Sequence, residues 1–345
     1  MIASADMAHC REAIRHGSLS FHAASRLLPA AVRDPALALY AFCRLADDEV
    51  DLQAEKAAAV LRLKERLEKV YAGQPRNAPE DRAFAAVVET FDMPRALPEA
   101  LLEGLAWDAM ERRYASLSEL TAYSARVASA VGVMMSVLMR VRDRHTLARA
   151  CDLGVAMQLT NIARDVGEDA RENRLYLPLD WLEQEGVAVD DLLSLPEATP
   201  ELRRVVARLL LQARNLYHRS EAGIAELPLA SRPGIFAARF VYAGIGNQVR
   251  RAGYNSVDRR ARTGSAQKLA WLMLSAARAA TSVVLPRSPL LYARPLPEVA
   301  FLVDAAATQT RQTDWSAPLY SAFAQLHQKD IDQHARLSSG GSAQT

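Results

Sequence analysis

The sequence predicts an all-α protein, and three observations carry that expectation. Ala and Leu abound while Gly and Pro number only 15 and 16 in 345 residues, so few interior positions would break a helix. Apolar residues recur at helical spacing over long windows, and no run alternates apolar and polar residues as a half-buried strand does. Turn signals such as "AGQPRNAPED" and "LSLPEATPE" fall between those windows. With 50% hydrophobic residues, the chain can bury a sizeable core.

Taken in order, Asp34-Pro35 reads as a helix start, with Asp as N-cap and Pro at the first helical position, for a helix running to about 51. Further helices are expected over about 54–72, 81–93, 96–114, 117–141, 144–170, 199–227, 233–253 and 265–285. The apolar run 269–285 falls short of the ~20 residues of a membrane span and carries Arg278, so it reads as a bundle helix. After Pro286 the texture changes. "PRSPLLYARPLPE" reads as a linker, with short helices at 299–309 and 318–333, and the end "ARLSSGGSAQT" reads as disordered. The expected organisation is one helical domain over 1–285 and a C-terminal extension over 286–345.

Charge and cysteine content exclude some classes. A net charge of +2 leaves no basic excess for a nucleic-acid backbone. The cations are nearly all Arg, which suits fixed recognition of phosphate or carboxylate. Cys10, Cys43 and Cys151 are odd in number and far apart, which fits a reducing cytoplasm. The N-terminus lacks the uninterrupted apolar core of a secretory signal.

The stretch "AFCRLADDEVD" poses the chemical question, because it ends an apolar segment in acids. Carboxylates there face the negative end of the helix dipole and are seldom buried unpaired. Tyr40, Arg44, Asp47 and Asp51 share one helical stripe, with Asp48 just beside it. A second stripe, Gln158, Asn161, Asp165 and Asp169, runs down an otherwise apolar segment. A single aspartate pair at this spacing is usually a solvated face; two behind apolar flanks call for cations. Oxygen donors without His or Cys suit Mg²⁺ or Mn²⁺, completed by substrate phosphates. With Arg44 and Arg164 adjoining, the two stripes suggest a metal-clamped diphosphate. Cys43 reads as a small apolar filler rather than a nucleophile.

"YAFCRLADDEVD" and "QLTNIARDVGEDARENRLYLP" resemble the two aspartate-rich motifs of the squalene/phytoene synthase family. "SLSFHAASRLLP" resembles its N-terminal element, which places Ser18, Ser20 and Phe21 at the substrate end. "YSARVASAVGVMMSVLM" is similar to its cavity-lining segment, matching at Tyr123, Val127, Ala128, Val131 and Gly132. "AGYNSVDRRAR" resembles a late motif through Tyr254 and Arg260, with Arg260 on the phosphate side. The likeness covers roughly 8–285, with Ser124, Ser129 and Asn255 standing where Cys, Gly and Asp are common. None of these departures touches a proposed metal ligand.

The resemblance implies an isoprenoid-synthase-type helical bundle around a central apolar cavity. It implies Asp47, Asp51, Asp165, Asp169 and Tyr123 as catalytic, and Asp47, Asp48, Asp51, Asn161, Asp165 and Asp169 as metal ligands. Arg44, Gln158, Asn161, Arg164, Arg174 and Arg260 join the cavity residues in binding substrate. Arg174 serves equally as a surface arginine and Ser18 as a helix cap. The implied reaction is head-to-head condensation of two geranylgeranyl diphosphates to 15-cis-phytoene, the first committed step toward carotenoids. It passes through a cyclopropylcarbinyl diphosphate and ends in proton loss. No NADPH is expected, since no dinucleotide fingerprint follows a strand. Bacterial members are described as needing ATP without hydrolysing it, and no P-loop accounts for that here. The alternatives are a squalene or dehydrosqualene synthase on C15 chains and a non-catalytic assembly factor of the same fold. The expected setting is cytoplasmic, with peripheral contact at the inner membrane and with carotenoid-pathway enzymes. Val127, Val131, Met134 and Leu138 are expected to line the cavity from one helical face.

Overall fold

The computed structural model describes residues 2–17, 24–52, 56–194, 197–258, 260–261 and 264–308, and all regular structure among them is helical. The chain opens with α1 (Ser4–Gly17), α2 (Ala30–Leu52), α3 (Lys56–Tyr71), α4 (Pro79–Phe91) and α5 (Ala96–Ala109). A continuous rod follows: α6 (Leu117–Ser124), a π-turn (Ala125–Ser129) and α7 (Ala130–Leu138). Then come α8 (Arg144–Arg171), α9 (Leu179–Gln184), α10 (Val189–Ser194), α11 (Pro200–Ile224), α12 (Arg232–Arg251), α13 (Ser265–Thr281) and α14 (Ala300–Ala306).

The helix at Asp34-Pro35 starts earlier than the sequence suggests. Its first turn is set by Pro29, whose carbonyl accepts from the N–H groups of Val32 and Arg33. Asp34 instead pairs with Arg11 and Arg33, and Pro35 sits inside the helix. Helix α5 ends sooner than expected, at a turn that puts Glu111 at φ 50°. Helix α1 carries no apolar run, yet it buries Met7, Cys10 and Ile14. Its buried Asp6 pairs with Arg82 of α4, which holds the acid below the ordinary carboxylate range.

Helix α8 is the central strut, with 28 residues and a length of about 42 Å at 1.5 Å per residue. Asp143 caps it by accepting from the Thr146 N–H at 2.8 Å. The α6–α7 rod returns antiparallel along it, because the loop between them is short. Glycines permit the close approach: a Cβ on Gly154 would lie 2.6 Å from the Ser129 Cα, and one on Gly132 would lie 3.0 Å from the Ala150 carbonyl. Ser129 adds a hydrogen bond to the Cys151 carbonyl at 2.8 Å.

Part of the segment after Pro286 packs into the bundle. Leu291, Val299, Leu302, Val303 and Ala306 are buried, and the Arg142 side chain donates to the Ala306 carbonyl. The expected helix at 318–333 and the expected disordered end lie outside the described residues. Helix α13 is a bundle helix on one side only. Trp271 packs on Gly244 of α12, while Leu269, Met273, Leu274, Val283, Val284 and Leu285 are exposed. Among the described residues, one helix is long and apolar enough to cross a membrane, Leu117–Leu138, and two thirds of its apolar window is buried.

Candidate active site

A cavity of about 740 Å³ runs through the bundle. Thr146, Arg149, Leu153, Met157, Asn161 and Arg164 line it at helical spacing along α8. That wall is polar at both ends and apolar between them. Tyr123, Val127, Ala128, Val131, Gly132 and Met135 form the facing wall. Met134 and Leu138 are buried in the core away from the cavity, contrary to the even helical stripe. The π-turn at 125–129 carries an extra residue, so the lining face passes to Met135 and Met139.

At the rim, the second aspartate motif is held by arginines. Arg164 donates to both oxygens of Asp165, one bond being 2.7 Å. Arg260 reaches back to Asp165 and Glu168, each at 3.0 Å. Asp169, one turn on, has its carboxyl pushed up to about 7 by burial and then by the neighbouring Asp165 charge, with Arg174 pulling the other way. Arg174 stands 3.6 Å from Glu172 and is not part of the cavity wall. Arg44, Gln158, Asn161, Arg164 and Arg260 all line the cavity. The structure therefore brings cations and amides of the two motifs, and the late motif's arginine, to one cavity.

The chain belongs to the squalene/phytoene synthase family. The family model "Squalene/phytoene synthase" matches residues 14–267. The chain is 62% identical over 340 residues to a protein named phytoene synthase from Cereibacter sphaeroides, covering 96% of each chain. It is 60% identical over 334 residues to one of the same name from Rhodobacter capsulatus, covering 96% of this chain and 98% of the relative. A crystal structure of a dehydrosqualene synthase in complex with a ligand superimposes with a TM-score of 0.74 at 31% identity, covering 80% of this chain and 97% of the other.

Below the rim of this family member lies a group that the sequence did not assemble. Tyr123 donates to Asp108 at 2.8 Å, and Tyr176 donates to the other Asp108 oxygen at 2.9 Å. The two rings stack 5.3 Å apart, with Tyr114 5.2 Å from Tyr123. Burial and then the Asp108 charge raise all three phenols far above their ordinary value. Asp108 and Tyr123 line the cavity. The clue to Asp108 was a lone acid in the last turn of the apolar "LPEALLEGLAWDA", the unfavourable end of the dipole. Arg149 was missed as well, although an Arg–Asp pair at i, i+3 inside "LARACDLGVAM" is the same kind of anomaly.

Ser18, Ser20 and Phe21 lie outside the described residues. Asp47, Asp48 and Asp51 fall on the last turns of α2, and their side chains lie outside the description too. Cys43 is half-buried and lines the cavity. Among the described residues no three His, Cys, Asp or Glu side chains gather closely enough to hold a metal ion. Asn161, Asp165 and Asp169 nevertheless fit a hard cation. They offer oxygen ligands, and Asp169 is a half-buried acid whose ionised form a cation would favour.

Proposed function

We infer that the protein joins two geranylgeranyl diphosphates head to head into 15-cis-phytoene, through a cyclopropylcarbinyl diphosphate and with release of both diphosphates. The carrying observation is an apolar cavity with small residues at Ala128, Val131 and Gly132, lined also by Arg164 and Arg260, which hold the second aspartate motif. Relatives at 60–62% identity named phytoene synthase support the reading.

The chemistry asks for charge neutralisation and dryness. Arg44, Arg164 and Arg260 stand where a diphosphate would lie, and a guanidinium can exchange a carboxylate for a phosphate without changing its geometry. Asn161, Asp165, Asp169 and the α2 acids would hold Mg²⁺ or Mn²⁺, which would supply the remaining charge for the leaving group. The aliphatic wall keeps water from quenching the allylic cation. Tyr123 and Asp108 line the cavity beside it, and the Asp108 carboxylate fixes the Tyr123 and Tyr176 phenols. Proton loss then leaves the central double bond.

Incubating the protein with Mg²⁺ and labelled C15 or C20 diphosphate, with and without NADPH, tests this reading. A C40 hydrocarbon from C20 without NADPH is the expected product. C30 from C15 alone would replace it with a dehydrosqualene synthase, and reduced C30 only with NADPH with a squalene synthase. The setting we propose is cytoplasmic and peripheral to the inner membrane, beside the enzymes that consume the product. The exposed apolar face of α13 supports lipid contact, and co-sedimentation with vesicles tests it.

A further inference from the structure

We propose that Arg149 is the floor of the substrate cavity and that the C-terminal segment, by holding it there, limits the prenyl chain length accepted. This rests on the prenyl-transfer reading above and names a specificity residue within it. Arg149 stands sixteen residues before Asp165 on α8, about 24 Å away at the helical rise. It lines the cavity with Thr146, Ser220, Gly223 and Ile224, so a chain whose diphosphate lies at the rim points its tail toward it.

Its side chain is fixed on every side. Nε donates to Asp152 at 2.6 Å, and Nη1 donates to the carbonyls of Leu290, Leu291 and Ala293 at 2.8, 2.9 and 2.8 Å. Arg219 braces the same Asp152 at 3.0 Å and donates to the Arg294 carbonyl. Behind the stem, a Cβ on Gly223 would lie 2.3 Å from the Arg149 Cβ, so α11 leaves it no room to retreat. Nη2 is buried without a hydrogen-bond partner among the described residues. An apolar floor could rotate aside to admit one more isoprene unit. A guanidinium pinned by an acid and three carbonyls cannot.

The experiment uses the full chain, Arg149→Met and an equimolar mixture of C20 and C25 diphosphates with Mg²⁺. Asp152 keeps Arg219 in the variant, which favours folding. Loss of the floor should raise incorporation of C25 relative to C20 by about tenfold, the scale on which pockets discriminate added methylenes. A folded variant with the wild-type ratio overturns the proposal. If Arg149→Met does not fold, Ser220→Leu raises the floor instead. It should depress C20 relative to C15 turnover by a similar factor, and an unchanged ratio there overturns the proposal equally. Wild-type protein run alongside separates the two readings: no hydrocarbon from any chain length defeats the function, whereas C40 with unmoved ratios defeats only the floor.

Discussion

Helix α8 carries two clusters of one composition, an aspartate between two arginines, and they are built for opposite ends. At the deep end Arg149, Asp152 and Arg219 are 0, 0 and 11% exposed, and four backbone carbonyls accept from Arg149 Nη1 and Arg219 Nη2. At the rim Arg164, Asp165 and Arg260 are 18, 15 and 42% exposed. There Arg260 meets a further carboxylate, Glu168, rather than backbone. Carbonyls cannot leave, so the deep guanidinium is locked. Carboxylate partners can be exchanged for phosphate, and the excess acid can be met by cations. Whether an ion pair acts as structure or as site is decided by what surrounds it.

The largest effect should come from breaking the deep cluster. Asp152→Ala strands Arg149 in the core, and removing one member of a buried pair costs about 3–5 kcal/mol. Thermal denaturation should show a fall of roughly 4–7 °C for a chain of this size. A shift within two degrees would show that the carbonyls alone suffice and that the deep cluster is less locked than its geometry implies.

The rim should behave in the opposite way. Asp165→Asn should leave the melting temperature nearly unchanged, because Arg164 and Arg260 are partly solvated and the remaining acids still face them. Turnover should fall about 10²–10³-fold, the scale of removing one charge-stabilising group from a reacting centre. Activity should also vanish in EDTA and return with Mg²⁺ or Mn²⁺, without a specific need for Zn²⁺. Loss of stability with activity retained per folded molecule would make the rim structural as well.

A third contrast concerns pH. The Asp169 carboxyl sits at about 7 in the folded chain, above its ordinary 3.8. A raised carboxyl makes ionisation costly in the folded state. Metal-free protein therefore loses stability as pH rises from about 4 through 7, and the loss is complete above that. Asp169→Asn should raise the melting temperature by a few degrees at pH 8 and by nothing at pH 4. Mg²⁺ should stabilise the wild type at pH 8 but stabilise this variant much less. An equal gain at both pH values would show that burial of volume, rather than charge, is what the substitution relieves.

Local pattern made most of the helices legible, and the second motif too, because Asn161, Asp165 and Asp169 sit on one regular helix. What escaped depended on long-range pairing or on broken periodicity. Asp108 acquires meaning only when Tyr123 and Tyr176 arrive from 15 and 68 residues away. The segment around Leu291 reads as a linker until Arg149, more than 140 residues earlier, takes its carbonyls. The N-cap reading of Asp34 failed because Pro29 offered an earlier start and Arg11 offered the acid a partner. The π-turn moved the cavity face by one residue, which no single-period template represents.

The smallest effect should appear between the two clusters, on the wall that faces α8. Val131 lines the cavity there. Its neighbour Gly132 lines it too, but a Cβ on Gly132 would press on the Ala150 carbonyl at 3.0 Å, so enlarging Gly132 would part the helices rather than narrow the channel. Val131→Phe is the cleaner probe. It adds bulk midway between the rim and Arg149, so a C20 tail should be obstructed while a C15 tail is less so. Ionisation at the rim is untouched, and total diphosphate release should stay within a few-fold of wild type. The ratio of C30 to C40 hydrocarbon from competing C15 and C20 substrates should rise by about tenfold. If both substrates lose activity equally in a folded variant, the α6–α7 rod does not gauge length, and selection lies with the deep end alone.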